Sequence, residues 1–446
     1  MPYPADPAGR HVNARALPEA ELRALAEIDL ASLLSDIDAV VSVRSLDGAE
    51  SPAQEVMAHL MAARGLHVHK WAIDLEALRR HPACSSEVER REAVGLVGEI
   101  GGSGGGRDLI FNAHTDVVPP GDEGLWVHDP WRATVDAGYV YGRGALDDKG
   151  GLCCALQAAH AIAAAGIRLR GRLLVESAIG EEDGGAGTLA TILAGYSADG
   201  AIVVEPTCLA VVPAQAGALN FRITVPGASA HGCVRDEGVS AVEQFRTVHD
   251  ALLALEQGRN RRVKAADDAA DRPLFSPYSL PIPLSIGVVR AGDWPSTVPE
   301  RLVCEGRYGV AIGEDPAAAR DELERAVDAA AADDPWLRDH PPLVEWWGGR
   351  FDPASTPLDD PVVTTVRRAF RAVNGAEPTV EGVTYGADMR LLVNEGGIPA
   401  VLFGPGDVRR SHRPDEGVPV KELLAATRTL VVAALRFCGH EEEAPA

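Results

Sequence analysis

The sequence predicts an α/β protein: a doubly wound, mostly parallel sheet domain interrupted by an inserted ferredoxin-like α+β unit. Three observations predict it. Apolar strands alternate with helical stretches from about Gly150 to Pro206, the order of a parallel sheet covered on both faces. After Pro213 the order becomes β-α-β-β-α-β, which is a self-contained unit. The first pattern then returns, so the 446 residues divide into a first part at 1–213, an insert at 214–352 and a second part at 353–446. The insert, roughly 140 residues, has the size of an ordinary domain.

Taken in order, Leu22, Leu25, Ile28, Leu30, Leu33 and Leu34 form a 3.6-period stripe that predicts one helix from about Pro18 to Val43. Ser51-Pro52 is expected to cap a second helix, closed by Gly65. The stretch REAVGLVGEIGGSGGGRDLIFNAH reads as strand, glycine-rich hairpin turn, strand. Its glycine run lacks the GK[ST] ending of a phosphate loop. A helix (GGLCCALQAAHAIAAAG), a strand (GRLLVESAIG), a helix (AGTLATILAGY) and a strand (DGAIVVEP) follow. In the insert, ALNFRITVPG, LSIGVVRAGDW, ERLVCEGRYGVAI and LVEWWGGRF read as strands, with VSAVEQFRTVHDALLALEQG and PAAARDELERAVDAAAADD as helices. The last part adds the helix DDPVVTTVRRAFRAV, short strands near 378–383 and 398–403, and the helix VKELLAATRTLVVAALRFC.

Charge narrows the partners. With 42 Lys+Arg against 65 Asp+Glu the formal net charge is −23, which argues against DNA, RNA or an acidic membrane surface. Most of the acids, including Glu441 to Glu443 in the tail, are expected to be surface charge. The polar N-terminal stretch has no apolar leader, and no apolar run reaches the ~18 residues of a membrane span. Seven scattered cysteines without a CxxC suit reduced core thiols, so a cytoplasmic location is expected.

The chemistry-bearing residues gather where strands should end in loops, the place where open α/β sheets collect ligands. His114-Thr115-Asp116 follows LIFNA, with the acid placed to orient the imidazole. GRGALDDKGG precedes a helix, and Asp147 or Asp148 could be its N-cap or a carboxylate bridging two cations; the motif alone does not separate these. Glu181, Glu182 and Asp183 sit in an exposed-looking turn, where one acid can bind a dication and its neighbour accept a proton. Glu205 follows an apolar strand, and His412 arrives from the far end of the chain. Two imidazoles and several carboxylates at one sheet edge suit zinc, with cobalt or manganese as alternatives.

The ordered set HTDVVPPG, GRGALDDKGG, GEEDGG, VEPT, GASAHG and GPGD…SHRPDE resembles the dinuclear zinc amidohydrolases typified by acetylornithine deacetylase, succinyl-diaminopimelate desuccinylase, aminoacylase and glutamate carboxypeptidase. The resemblance implies a catalytic domain split by a lid or dimerisation domain, and two Zn2+ per subunit (Co2+ or Mn2+ as alternatives). It implies that His114 and Glu205 bind one metal and Glu182 and His412 the other, with Asp147 bridging. Asp116 would orient His114, and Glu181 would be the general base that takes a proton from water and returns it to the leaving amine. His231 in GASAHG would polarise the scissile carbonyl in a partner subunit's site, which implies a homodimer. Arg390 and Arg307 match substrate-binding arginines, and Ser296 stands where many relatives carry Asn. The implied activity is deacylation of an N-acyl amino acid or related N-acylated amine, with a dipeptidase or carboxypeptidase as the alternative; the substrate is a small molecule or short peptide.

Overall fold

The computed structural model describes residues 17–441. The N-terminal stretch before Leu17, and Glu442 and Glu443 of the acidic tail, lie outside them. The chain begins with α1 (Glu19–Ala26), α2 (Leu30–Val41) and α3 (Ser51–Ala63), followed by β1 (His67–Ala72), α4 (Leu75–Arg80), β2 (Val94–Gly101), β3 (Leu109–His114) and the short β4 (Thr134–Asp136) and β5 (Tyr139–Tyr141). Next come α5 (Lys149–Ala164), β6 (Arg172–Ala178), α6 (Ala186–Leu193), β7 (Gly200–Val203) and β8 (Val211–Gln215). The insert runs β9 (Gly217–Pro226), α7 (Ala241–Asp268), β10 (Leu284–Ala291), β11 (Arg301–Val310), α8 (Pro316–Asp333) and β12 (Leu343–Phe351). The chain closes with β13 (Ala354–Ser355), α9 (Pro361–Asn374), β14 (Val380–Val383), α10 (Met389–Asn394), β15 (Ala400–Leu402), β16 (Gly417–Pro419) and α11 (Val420–Cys438).

These elements form two compact units. One is the chain up to Pro213 with Ser355–Glu381 and the chain from Ala387 onward; the other is Ala214–Ala354 with Gly382–Gly386. The first holds a mixed sheet in the order β1-β2-β6-β3-β7-β15-β8-β13, with β14 on β8. Its centre is parallel, β6, β3, β7 and β15 running the same way, and its flanks are antiparallel at β1-β2, β2-β6 and β15-β8. Every residue of β3 is buried, as a central strand covered on both faces requires. The helices α5 and α11 supply part of that cover: Leu152, Leu156 and Ile162 of the first and Leu430, Val431 and Leu435 of the second share one core with Phe111, Val175 and Phe403. Removing a side chain such as Phe111 from water contributes about 2–3 kcal/mol.

Four sequence expectations need correction. The stretch 18–43 is two helices because Asp29 adopts extended backbone and its carboxylate accepts the Ala31 N–H at 2.9 Å, restarting the helix. Ser51 lies inside α3, whose N-cap is Glu50. The glycine run is not a hairpin. Strand β6 lies between β2 and β3 and pairs with both, while Gly102 and Gly104 donate to the carbonyls of Gly171 and Arg170 just ahead of β6. Finally, core thiols describe only Cys153, Cys154, Cys304 and Cys438; Cys84 is half-buried and Cys208 and Cys233 are exposed, all seven being free.

The second unit has the sheet order β10-β11-β9-β12, antiparallel throughout. With α7 and α8 this is the ferredoxin-like arrangement, in which the fourth strand returns beside the first. Its separate core joins Phe221, Ile223 and Val225 of β9 to Val248 and Leu252 of α7 and Leu323 and Val327 of α8. No described helix in either unit is long and apolar enough to cross a membrane.

Candidate metal centre

The four parallel strands deliver the site. His114 is the last residue of β3, Glu181 and Glu182 follow β6, Glu205 follows β7, and the loop after β15 leads to His412. Asp147 enters from the loop between β5 and α5. Two groups of ligand atoms result, each with its atoms within 4.8 Å of one another: His114, Asp147 and Glu205, and Asp147, Glu182 and His412. Asp147 belongs to both. His114 Nε2 lies 3.2 Å from its Oδ1, and His412 Nε2 lies 3.5 Å from its Oδ2 and 2.9 Å from Glu182 Oε1. A carboxylate that meets one imidazole through each oxygen is placed to join two cation sites.

The surroundings fix these groups. His114 Nδ1 lies 3.0 Å from the Asp116 carbonyl and 3.6 Å from its carboxylate, so that Nε2 is the nitrogen turned to Asp147. Asp116 Oδ2 also accepts the Glu182 N–H at 3.0 Å, tying the imidazole's partner to the acidic turn. That turn is not the exposed charge its sequence suggests: Glu181 and Asp183 are buried. Asp183 accepts from Ser86, from the Val88 N–H and from the buried Arg90, which also pairs with Glu50. Behind the turn, Arg390 is buried in α10, and its Nη2 donates to the Gly184 carbonyl at 2.6 Å.

The electrostatics suit a dication. Burial, then the charge of Glu205, pushes Glu181 well above the ordinary carboxylate range. Burial and Asp147 push Glu205 up to about 8 and raise Glu182. Burial alone would raise Asp147 too, but His114 and His412 hold it below its usual value. Hydrogen bonds that His412 donates to the Asp147 and Glu182 carboxylates push it up to about 10. So many acids converging on two imidazoles leave a deficit of positive charge, and Glu181 Oε1 is buried with no hydrogen-bond partner among the described residues. Nitrogen and oxygen donors in this number fit two hard-to-borderline cations.

Other site residues expected from sequence lie in the second unit. His231 is exposed, and its Nδ1 accepts the Cys233 N–H at 3.2 Å. The exposed Ser296 accepts the Gly232 N–H at 2.6 Å through its carbonyl, so His231 and Ser296 lie on neighbouring loops. Arg307, on β11, donates to the Thr384 carbonyl at 2.7 Å. Sequence reasoning missed Glu416, Arg90 and Asp388. Glu416 is fully buried against the Asp147 loop, and Asp388 accepts from Thr188 at 2.5 Å. The Asp147 or Asp148 ambiguity also resolves. Asp148 occupies the N-cap position of α5 without a capping side-chain bond, and only Asp147 belongs to the ligand groups.

The comparisons with known proteins agree with this picture. Residues 110–436 match the sequence profile of peptidase family M20/M25/M40. The chain is 32% identical to acetylornithine deacetylase of Myxococcus xanthus over 352 residues, 78% of this chain and 85% of that one. It is 30% identical over 355 residues to N-formyl-4-amino-5-aminomethyl-2-methylpyrimidine deformylase of Halalkalibacterium halodurans, 74% of this chain and 79% of that one. Among solved structures, a dipeptidase from Saccharomyces cerevisiae shares the fold with a TM-score of 0.73 at 13% identity, covering 95% of this chain and 99% of that one. A profile that spans most of the chain, and relatives sharing nearly a third of its residues, therefore assign it: the chain belongs to peptidase family M20/M25/M40, and its paired ligand groups make it a metal-dependent amidohydrolase.

Proposed function

We propose that the protein hydrolyses the amide C–N bond of a small substrate, with two Zn2+ held by His114, Asp147 and Glu205 and by Asp147, Glu182 and His412. The observation that carries this reading is the sharing of Asp147 between the two ligand groups, with the buried Glu181 Oε1, unpartnered among the described residues, on the adjoining turn. Bound dications would polarise the amide carbonyl and acidify water. Glu181 takes the proton from the attacking water and returns it to the departing nitrogen, a role open to an acid held off the ligand groups. Asp116 holds the tautomer and orientation of His114 throughout.

A short peptide is the substrate class that the family's name and the dipeptidase of the same fold support. The two relatives closer in sequence support a second reading, removal of a formyl or acetyl group from a nitrogen. The reactions break the same type of bond and differ in whether the acyl group carries an ammonium. Metal-loaded enzyme should therefore be assayed on di- and tripeptides beside N-formyl, N-acetyl and N-succinyl amino acids. Turnover of one class is expected, abolished by chelation and restored by Zn2+. Glu181→Gln should lower it by about 10²–10⁴-fold while metal analysis still finds two ions. Hydrolysis that survives either change would sink the mechanism.

A further inference from the structure

Glu416 joins two loops that lie far apart in sequence. It is fully buried. Its Oε1 accepts the N–H groups of Gly144 at 2.9 Å, Leu146 at 3.3 Å and Asp147 at 3.2 Å, its Oε2 takes the Arg143 guanidinium, and its carbonyl accepts the Gly142 N–H at 3.1 Å. One side chain thus gathers three backbone donors from the loop that ends on the shared ligand. A carboxylate satisfied in this way, with Arg143 as its counter-charge, fixes backbone positions rather than merely filling space. Arg143 is itself buried, with Nη2 3.3 Å from the Pro119 carbonyl and the guanidinium 5.2 Å from the centre of the Trp126 ring.

The other end of the connection is His412, four residues earlier. His412 and Asp415 have φ of +60° and +53°, left-handed backbone that costs a non-glycine residue about 1 kcal/mol or more and persists only where surroundings enforce it. Asp415 meets the N–H groups of Val127 and His128 at 3.1 Å, and Glu416 supplies the buried anchor next to it. A ligand of the second group and the ligand common to both groups are therefore held by one clamp.

We propose that Glu416 is a positioning residue that sets Asp147 and His412 in register, and so controls the affinity of both cation sites. The proposal rests on the metal-centre reading of Asp147, and its test needs no substrate. Metal-stripped wild type and Glu416→Gln are titrated with Co2+ alone, followed by visible absorption and by calorimetry. Gln keeps the size of the side chain, but loses the charge and turns an N–H donor toward Arg143 or the backbone donors. The expected result is a 10–100-fold weaker affinity for both Co2+ equivalents with an altered absorption band. Glu182→Gln, by contrast, should weaken one equivalent. Glu416→Asp, which retains the charge on a shorter stem, should recover part of the affinity. Wild-type Co2+ affinity and spectrum in folded Glu416→Gln overturns the proposal, as does weakening of one equivalent alone. Failure of both Glu416 variants to fold also overturns it, assigning the residue to stability. Absent turnover on every amide, with Co2+ binding as expected, would overturn the substrate reading and leave this one standing.

Discussion

Glu176 shows how a single buried acid should mark the whole stability profile. It lies in β6 away from the ligand groups, buried, and accepts from Asn112 Nδ2 at 3.0 Å. Burial pushes its carboxyl up to about 7 from an ordinary value of 4.5, the Asn112 bond opposing only in part. Because the folded state holds the proton more tightly than the unfolded chain, the stabilisation is complete below about pH 4.5 and is lost as pH rises to about 7. Glu176→Gln mimics the protonated form at every pH. Urea unfolding at pH 4.5, 6 and 8 should show the variant gaining on wild type by up to about 3 kcal/mol across that interval. A constant difference between the two proteins would contradict the assignment. The ligand candidates were legible residue by residue, since His114, Asp147, Glu182, Glu205 and His412, with Glu181 beside them, stand in short motifs at predicted strand ends. Glu416 was not, because nothing local distinguishes it; its meaning comes from backbone donors about 270 residues earlier.

Among the elements, α9 shows how local chemistry can specify a whole helix. Asp360 accepts the Val362 N–H at 2.9 Å, Pro361 occupies the first turn where its missing N–H costs nothing, and Gly375 ends the helix at φ +71°. Val362, Val363, Val366, Ala369 and Val373 form its buried stripe. Asp360→Ala should cost about 1 kcal/mol, read as a lower denaturant midpoint with unchanged slope. No measurable loss would show that packing of the stripe alone fixes the helix end. The β2–β3 segment is the contrary case. Two apolar runs joined by glycines look like a hairpin, yet β6 lies between them, because pairing is decided by which apolar strand fills the sheet and not by which is nearest in sequence. The same limit explains Arg390, whose helix and burial against the Gly184 carbonyl depend on the turn that it supports.

At the scale of the whole molecule each unit has a main core of its own, one shared by α5, α11 and the mixed sheet, the other enclosed by α7, α8 and β9. All five ligand candidates belong to the first unit. Metal should therefore stabilise that unit by mass action, about 2.7 kcal/mol per site at a hundredfold excess over the dissociation constant. Scanning calorimetry with and without Zn2+ is expected to resolve one transition that moves to higher temperature and another that does not. A single transition that shifts entire would show that the two units unfold together.

The sequence by itself determined the α/β class, the interrupting β-α-β-β-α-β unit and the identity of the metal-ligand candidates. These follow from periodicity, from helix and strand order, and from side-chain chemistry, all of which are local. Tertiary structure decided which strands became neighbours, so that the parallel core was flanked by antiparallel strands. It also brought Asp147, which the motif alone did not separate from Asp148, into both ligand groups, and made an acidic turn buried machinery instead of surface charge. The net charge of −23 held no such information. Burial and charge proximity arise only when distant segments pack together, and it is their packing that turns ordinary acids into a metal centre.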